Sequence, residues 1–197
     1  MITGKPAATT AIYPFTSQIL ASKPDDLSLE GYLAPETYRV FKDSHLTDVL
    51  EKFLDQRETE LSTLSSPRGL NEILTMASIV EDEARAPEDR RMVADILWRR
   101  LDKGWKLQVD SSVHYAVNKT GNVFTTEKDR DSNSPWNTYK FAGLPPGPIC
   151  NPSLESIEAA LNSEKNDYWY FLSGNDGQMH YAKTLEEQQR NIQRYLR

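Results

Sequence analysis

Cysteine and histidine are scarce in this chain, and their scarcity argues against two kinds of chemistry. Cys150 is the only cysteine among 197 residues, so the chain cannot form an internal disulfide or a thiolate metal site. Its neighbours in PGPICNP offer no activating base, which favours an unreactive thiol over a nucleophile. The three histidines, His45, His114 and His180, are scattered without a partner at metal-ligand spacing, so we expect neither a metal nor an organic cofactor.

Long apolar runs and basic blocks are also missing. No stretch approaches the roughly 20 apolar residues needed to span a bilayer, and the opening MITGKPAATTA lacks the pattern of a signal peptide. The net charge is −6 without a basic cluster, which argues against a nucleic-acid partner. With 38% hydrophobic and 26% charged residues, the composition is that of a soluble globular protein.

Apolar spacing and turn residues predict an α+β fold that is mainly helical. Ser66 and Pro67 suit a helix start, as does Pro87 with acidic residues behind it. The helices are predicted at residues 46–61, 67–85, 87–103, 110–117, 153–162 and 185–197. A strand and turn are predicted within 29–40, and a β-hairpin around the GNDG turn within 167–183. The long polar loop 119–152 is of a kind that is usually functional or disordered.

Three carboxylates stand together in 77-ASIVEDEAR-85, and helical geometry indicates which one faces inward. At about 100° per residue from Leu70, Glu81 falls at about 20°, in the middle of the apolar stripe. Asp82 and Glu83 fall at about 120° and about 220°, on its flanks or beyond. The sequence therefore predicts that Glu81 is the inward carboxylate.

An inward carboxylate has two interpretations. Burial favours its neutral form and raises its pKa, and a protonated carboxyl near neutral pH is what a general acid must be. In glycoside cleavage such an acid protonates the leaving oxygen. The alternative is a buried Glu81 that is satisfied by an arginine, such as Arg90 or Arg99, without any chemical role.

Several motifs, in order, resemble one family. They are EGYLAPETY (30–38), ASIVEDEA (77–84), RRLDKGWKLQVDSSVHYAV (99–117), SPWNTYKFAGLPPGPICNPSLESIEAAL (134–161), DYWYF (167–171) and HYAKTLEEQQRN (180–191). Together they resemble the MltG/YceG family of endolytic murein transglycosylases over roughly residues 29–197. One such motif would be weak evidence, but six in family order are specific.

The resemblance implies an activity and a cellular setting. Members of the family cleave peptidoglycan glycan strands internally and leave 1,6-anhydromuramoyl ends. A transmembrane anchor and a LysM-like subdomain usually precede their catalytic domain, which works outside the cytoplasmic membrane, where cell-wall synthesis machinery offers possible partners. We therefore expect residues 1–28 to end a preceding LysM-like subdomain or linker, residues 29–197 to form the catalytic domain, and the anchor to be absent from this chain.

The resemblance also assigns site residues. It implies that Glu81, the first glutamate of the ASIVExE motif, is the catalytic acid, and that Glu83 is structural or supports the site. The substrate-binding residues implied by the family motifs are Gln108, Asp110, Asn137, Thr138, Tyr139, Glu83 and Glu30. Asp110 is also a candidate helix N-cap, Tyr139 a candidate core residue and Glu30 a candidate structural hydrogen-bonding residue.

Two rival functions are open from the sequence. A muramidase would use Asp110 or Glu83 as a second carboxylate and would release a reducing sugar. A catalytically silent module would bind peptidoglycan without cleaving it. The intact Glu81 argues against the silent module, and the chemical form of the product distinguishes the two enzymes.

Overall fold

The computed structural model describes residues 19–119 and 125–197, and the fold outlined here is that of these residues. They form seven α-helices, a short 3-10 turn at Ile19–Ser22 and one two-stranded antiparallel sheet. The helices are α1 (Leu46–Leu61), α2 (Leu70–Glu83), α3 (Pro87–Asp102), α4 (Asp110–Ala116), α5 (Glu127–Arg130), α6 (Leu154–Leu161) and α7 (Leu185–Tyr195). The strands are β1 (Tyr170–Ser173) and β2 (Met179–Ala182), with Tyr170 opposite Ala182.

Helix α2 is the centre of the core. All residues from Ile73 to Val80 are buried, so this helix is covered on every side rather than along one stripe. It packs against α3 and α6, and α3 also packs against α6. Its apolar residues outside the predicted stripe, Met76 and Ile79, are both 0% exposed. At the carboxyl-terminal end of α2, Glu83 faces a solvent-accessible space.

Most predicted elements are present with close boundaries, and the α+β prediction is confirmed. One helix start and one helix cap differ from the prediction. Helix α2 begins at Leu70 after the N-cap Gly69, because the Glu72 side chain accepts a hydrogen bond from the Gly69 N–H at 3.2 Å. Helix α4 has Val109 as its N-cap, so the prediction that Asp110 is a cap is wrong, and Asp110 lies in the first turn.

The strand predicted within residues 29–40 does not form in the described structure. Residues 29–33 form a turn, the rest of the segment has no regular secondary structure, and side chains bond to its backbone groups. The buried Arg57 donates from Nη2 to the carbonyl oxygens of Leu33 (2.8 Å) and Pro152 (2.6 Å). Asn151 Oδ1 accepts from the Gly31 N–H at 2.7 Å. Because side chains already hydrogen-bond to the Gly31 N–H and the Leu33 carbonyl, these backbone groups do not need a partner strand.

The amino-terminal part of the chain bears on the predicted domain boundary. Residues 1–18 lie outside the described residues, so the division between 1–28 and 29–197 stays a prediction. Within the described part of the chain, no helix combines the length and the apolar character needed to cross a membrane.

Candidate active site

A large open cleft lies at the carboxyl end of α2. Its volume is about 1230 Å³, and it is lined by residues of α2, α3, α4, α5, β1 and α7 and of nearby loops. Five of the predicted site residues line it: Glu30, Glu83, Gln108, Asp110 and Tyr139. This size and mixed polar lining suit a polymeric polar substrate better than a small buried ligand.

Glu83 is one of four carboxylates that line the cleft, with Glu30, Asp82 and Asp110. It is the last residue of α2, and its Oε1 accepts hydrogen bonds from the Ser111 N–H at 3.3 Å and the Ser111 hydroxyl at 2.7 Å. Burial raises the pKa of Glu83 above its usual range, and the bonds from Ser111 oppose that effect only in part. A raised pKa favours the neutral form of a carboxyl, which is the form that a general acid needs.

Glu81 is held by a different set of partners and is not among the residues that line the cleft. Its Oε1 accepts from Arg90 Nη2 at 3.1 Å, and its Oε2 accepts from the Ser153 N–H at 3.0 Å and the Ser153 hydroxyl at 2.5 Å. Burial acts to raise the pKa of Glu81, but the Ser153 bonds and the Arg90 charge outweigh it and hold the pKa below its ordinary value.

The expectation that burial keeps Glu81 neutral is therefore wrong. Helical spacing shows which way a residue faces on its own helix. It does not show which hydrogen-bond donors and charges of neighbouring helices lie next to that residue. Here the amino terminus of α6 supplies the N–H and the hydroxyl of Ser153, and α3 supplies the Arg90 guanidinium. Both favour the charged carboxylate. The catalytic role of Glu81 stays a prediction, and its surroundings are those of the satisfied-glutamate alternative.

Asp110 and Tyr139 form a linked pair in the cleft wall. The Tyr139 hydroxyl donates to Asp110 Oδ1 at 2.8 Å, and Arg130 Nη2 donates to the same oxygen at 3.3 Å. The Arg130 guanidinium also lies 4.5 Å from the centre of the Tyr139 ring. Burial raises the pKa of Tyr139, and the Asp110 charge adds to the effect, so the phenol stays protonated. The pair offers polar edges that can contact sugar hydroxyls.

Asn137 and Thr138 lie beneath the cleft rather than in its wall. They are 0% and 2% exposed, respectively. The Asn137 amide nitrogen donates to the carbonyl oxygens of Arg130 and Ser132, both at 2.8 Å, and Thr138 Oγ1 accepts from the Val109 N–H at 3.1 Å. These bonds hold the loop that carries Tyr139. The geometry favours a supporting role for both residues, and their direct contact with a substrate stays untested.

Glu30 and Gln108 complete the predicted set, and both line the cleft. The Tyr115 hydroxyl donates to Glu30 Oε2 at 2.6 Å, which agrees with a hydrogen-bonding role for Glu30. Gln108 is exposed between two buried neighbours and has a φ of +53°. The two residues approach the cleft from segments that are far apart in the sequence, which shows that it is formed by tertiary packing.

Comparison with known proteins places the chain in a family. Residues 5–194 match the YceG-like family. This chain belongs to the YceG-like family. The resemblance predicted from the motifs is thereby confirmed.

Named relatives of this YceG-like chain share one description. A protein called endolytic murein transglycosylase from Bacillus subtilis (strain 168) is 39% identical over 174 residues, which is 85% of this chain and 48% of the relative. Its namesake from Streptococcus pneumoniae serotype 2 (strain D39) is 35% identical over 178 residues, or 85% of this chain and 32% of the relative. The chain thus spans half or less of the length of these relatives.

A solved structure confirms the YceG-like fold. A yceG-like protein from Listeria monocytogenes superposes with a TM-score of 0.74 at 41% sequence identity. The superposition covers 82% of this chain and 55% of that protein. A mainly helical α+β architecture is therefore common to both.

Sequence reasoning missed two residues that shape the YceG-like site. Ser111 is the hydrogen-bond donor to Glu83, and its place directly after the LQVD motif is the signal that could have found it. Arg100 is 7% exposed and lines the cleft, and it donates to the carbonyl oxygens of Leu107 at 2.5 Å and Trp169 at 2.6 Å. No spacing rule identifies Arg100, because its partners come from a loop and from the approach to β1.

Proposed function

We propose that this YceG-like chain is the catalytic region of an endolytic lytic transglycosylase. It cleaves the β-1,4 bond between N-acetylmuramic acid and N-acetylglucosamine inside a peptidoglycan strand and leaves a 1,6-anhydromuramoyl end. The observation that carries the proposal is Glu83, a carboxyl whose pKa is raised by burial and which lines a cleft large enough for a glycan. Membership in the family and the names of the relatives support the same reaction.

The reaction requires one proton donor that later becomes a base. The protonated Glu83 carboxyl donates its proton to the glycosidic oxygen, and the bond from that oxygen to the muramoyl C1 breaks with its electron pair on the oxygen. The muramoyl C6 hydroxyl attacks C1, and the Glu83 carboxylate takes its proton. The enzyme returns to its starting state, and the sugar closes its own ring. Water is not consumed, so a second catalytic carboxylate is not required, unlike in hydrolases.

Glu83 suits the acid role better than Glu81 does. A general acid must carry a proton near the working pH and must reach the leaving oxygen. Glu83 lines the cleft and has a raised pKa, whereas Glu81 has a lowered pKa and is bonded to Arg90 and Ser153. We assign Glu83 as the acid and Glu81 as a carboxylate that holds α2 to α6.

The chain acts on peptidoglycan outside the cytoplasmic membrane. Peptidoglycan strands are its substrate, and the cleft residues Asp110, Tyr139 and Glu30 contact the sugar hydroxyls. The full-length parent is a single-pass protein at the outer face of the bacterial cytoplasmic membrane, and it shortens or terminates strands beside the cell-wall synthesis machinery. The family resemblance supports this setting, and neither the anchor nor the machinery belongs to the described residues.

Digestion of purified peptidoglycan tests the reaction and its acid together. Wild-type protein, Glu83→Gln and Glu81→Gln are incubated with the same glycan, and the released products are read by mass spectrometry. We expect anhydromuramoyl ends from the wild type and a loss of at least about 10³-fold in rate for Glu83→Gln, since a glutamine has no proton to donate. Glu81→Gln should retain measurable activity at a temperature well below its unfolding midpoint.

The reverse result would exchange the two roles. If folded Glu81→Gln is inactive while Glu83→Gln turns over, Glu81 is the acid, as the family motif suggested from the sequence. Reducing ends in place of anhydro ends would establish a muramidase. Binding of strands without any product, by a wild type tested also as the full-length chain, would favour the silent module.

A further inference from the structure

The residues that line the cleft fall into two sets of different chemistry. Every charged side chain among them belongs to residues 30–130, the set that includes Glu83. The described lining residues after residue 169 come from β1 and α7 and include no charged side chain. Most of them are apolar: Phe171, Leu172, Leu185, Ile192 and Leu196. A ligand that fills the cleft therefore meets polar groups from the first set and a largely apolar surface from the second.

Helix α7 contributes an apolar stripe to this surface, formed by Leu185, Ile192 and the C-cap residue Leu196. At about 100° per residue, the three side chains fall within about 40° of one another around the helix axis. An amphipathic surface helix ordinarily turns such a stripe toward the core. In α7 no residue is buried, and Leu185 and Leu196 are 57% and 43% exposed. The stripe therefore faces the cleft instead of the core.

Polar side chains attach α7 to the β-hairpin. Gln188 Nε2 donates to the Phe171 carbonyl at 2.9 Å, and Asn191 Nδ2 donates to the Tyr181 carbonyl at 3.2 Å. Among the described residues, the hydrophobic core and the side chains packed against it include none of the three residues of the stripe. The stripe is thus left available to a ligand, and exposed apolar surface of this kind commonly marks a binding site.

We propose that the apolar stripe of α7 binds the peptide stem of a peptidoglycan strand, so that the cleft favours strands with stems over strands without them. In peptidoglycan, muramic acid carries a short peptide rich in alanine through its lactyl group. A strand in the cleft therefore brings both sugar hydroxyls and peptide methyl groups with it. The hydroxyls suit the polar residues around Glu83, and the methyl groups suit the stripe. The inference rests on the proposed function of the cleft and adds the peptide as a second recognised part.

The chemistry of the cleft favours a peptide stem over two other apolar occupants. An acyl chain on the stripe would lie across an open cleft of about 1230 Å³ from charged side chains, so only part of its surface would leave water. A second copy of this chain docked on the stripe would cover the cleft that Glu83 lines. A stem meets neither difficulty, because it is attached to the strand and its amide groups can face the polar residues.

Binding of matched strands tests the inference without relying on turnover. The probes are uncrosslinked glycan strands of one length that carry their stems, and the same strands after an amidase has removed the stems. Affinities are measured by isothermal titration calorimetry in whichever variant, Glu83→Gln or Glu81→Gln, releases no product. We expect the strands with stems to bind about tenfold more tightly, because the half-exposed leucines of the stripe would be covered by the peptide.

Variants of the stripe separate apolar contact from charge and from folding. The double variant Leu185→Gln and Leu196→Gln should lose most of the preference and keep the affinity for strands without stems. Removal of the stems changes the charge of the strand, whereas the glutamine substitutions leave the charge of the protein unchanged, so a lost preference reports apolar contact. Both leucines are exposed, and the thermal midpoint should stay near that of the parent.

Two single variants complete the test. If the midpoint of the double variant falls, Leu185→Gln alone decides, and it should reduce the preference by about threefold. Phe41→Gln is the matched control, because Phe41 is 80% exposed and is not among the residues that line the cleft. It should leave both affinities unchanged.

Several outcomes would overturn the inference. They are a preference that survives the stripe variants, equal affinity for the two kinds of strand, tighter binding of strands without stems, and absence of binding to either. A dimer of the parent in sedimentation that the double variant abolishes would assign the stripe to self-association and would also overturn it. Any of these, found together with anhydromuramoyl ends in the digestion of peptidoglycan, would leave the proposed function intact. A stem preference that the double variant loses, found without anhydro ends, would support the role of the stripe and contradict the transglycosylase proposal.

Discussion

Two glutamates separated by one residue on α2 have opposite electrostatic environments. Glu81 accepts hydrogen bonds from the amino terminus of α6 and pairs with Arg90, so its pKa is lowered. Glu83 is half-buried and Ser111 is its hydrogen-bond donor among the described residues, so burial dominates and its pKa is raised. The difference follows from the partners that tertiary packing brings to each, because both are glutamates near the end of one helix. This difference supports the proposed assignment of a structural task to Glu81 and a chemical task to Glu83.

The opposite pKa shifts predict opposite dependences of stability on pH. Glu83 has a folded pKa above the ordinary value of 4.5, so its contribution is fully present below that value and is lost as pH rises through the folded pKa. Glutamine does not ionise, so Glu83→Gln keeps its stability where the wild type loses some. The free energy of unfolding of the variant should therefore rise relative to that of wild type as pH rises from 4.5 towards 8. Urea unfolding monitored by circular dichroism across this range measures the difference.

Glu81→Gln is the matched comparison with the reverse sign. The folded pKa of Glu81 lies below the ordinary value of 4.5, so its contribution is present above that value and is lost as pH falls through the folded pKa. At pH 7 we expect Glu81→Gln to lower the free energy of unfolding by about 1–3 kcal/mol, because Arg90 and Ser153 would lose their charged hydrogen-bond acceptor. The cost should shrink as the pH is lowered. Parallel pH profiles for the two variants would contradict the assignment of their charge states.

At the scale of elements, the start of α6 connects three helices. Ser153 is the N-cap of α6, and its hydroxyl accepts from the Ser156 N–H at 3.3 Å while it donates to Glu81 on α2. Arg90 on α3 bonds to Glu81 and, through Nη1, to Glu155 in the first turn of α6 at 3.0 Å. The amino terminus of a helix favours nearby negative charge, so both carboxylates stabilise it. This junction fixes the end of α2 from which Glu83 reaches the cleft.

Removal of the Ser153 hydroxyl tests that junction. Loss of an N-cap costs about 1 kcal/mol, and Ser153→Ala also removes a donor to Glu81. We therefore expect Ser153→Ala to cost roughly 2–3 kcal/mol in the free energy of unfolding. Thr184→Ala is the control, because Thr184 caps the exposed start of α7 and accepts from the Glu187 N–H at 3.2 Å without a buried carboxylate beside it. Equal losses in chemical denaturation would mean that Ser153 acts only as a cap.

At the scale of the whole molecule, two motifs that are far apart in the sequence are in direct contact. Gly31, in the EGYL segment, has a φ of +90°, and a Cβ at this position would lie 2.2 Å from Cγ of Pro148. Pro148 belongs to the PGP turn that leads to Asn151, which accepts from the Gly31 N–H. Neither motif contains a catalytic group, and their contact brings Glu30 to one side of the cleft. The glycine is required by this close approach.

Gly31→Ala should therefore destabilise the protein strongly. The added methyl group meets the rigid Pro148 ring, which costs about 1–3 kcal/mol as overpacking, and the positive φ adds about 1–2 kcal/mol. Gly177→Ala is the matched control, since Gly177 has a φ of +76° with no atom within 4 Å of the added Cβ. It should show only the backbone cost in thermal unfolding. A similar drop in the thermal unfolding midpoint for both variants would show that Pro148 can move aside for the added methyl group without destabilising the protein.

The sequence by itself determined six of the seven described helices, the hairpin and the family. Apolar spacing, Pro87, Ser153 and the GNDG turn act within a few residues along the chain, so they could be read without tertiary information. The strand within 29–40 could not be judged in this way, since a strand needs a partner. Here Arg57 satisfied the backbone instead.

The tertiary structure alone decided which of the two α2 glutamates has a lowered pKa and which of them lines the cleft. Helical spacing selected Glu81, because it assumes that a helix has one buried face, and α2 is buried on all sides except at its end. The cleft opens at that end, where Glu83 meets Ser111. A pKa depends on the charges and donors within a few ångströms in space, and for Glu81 these come from residues 9 and 72 positions away in the sequence.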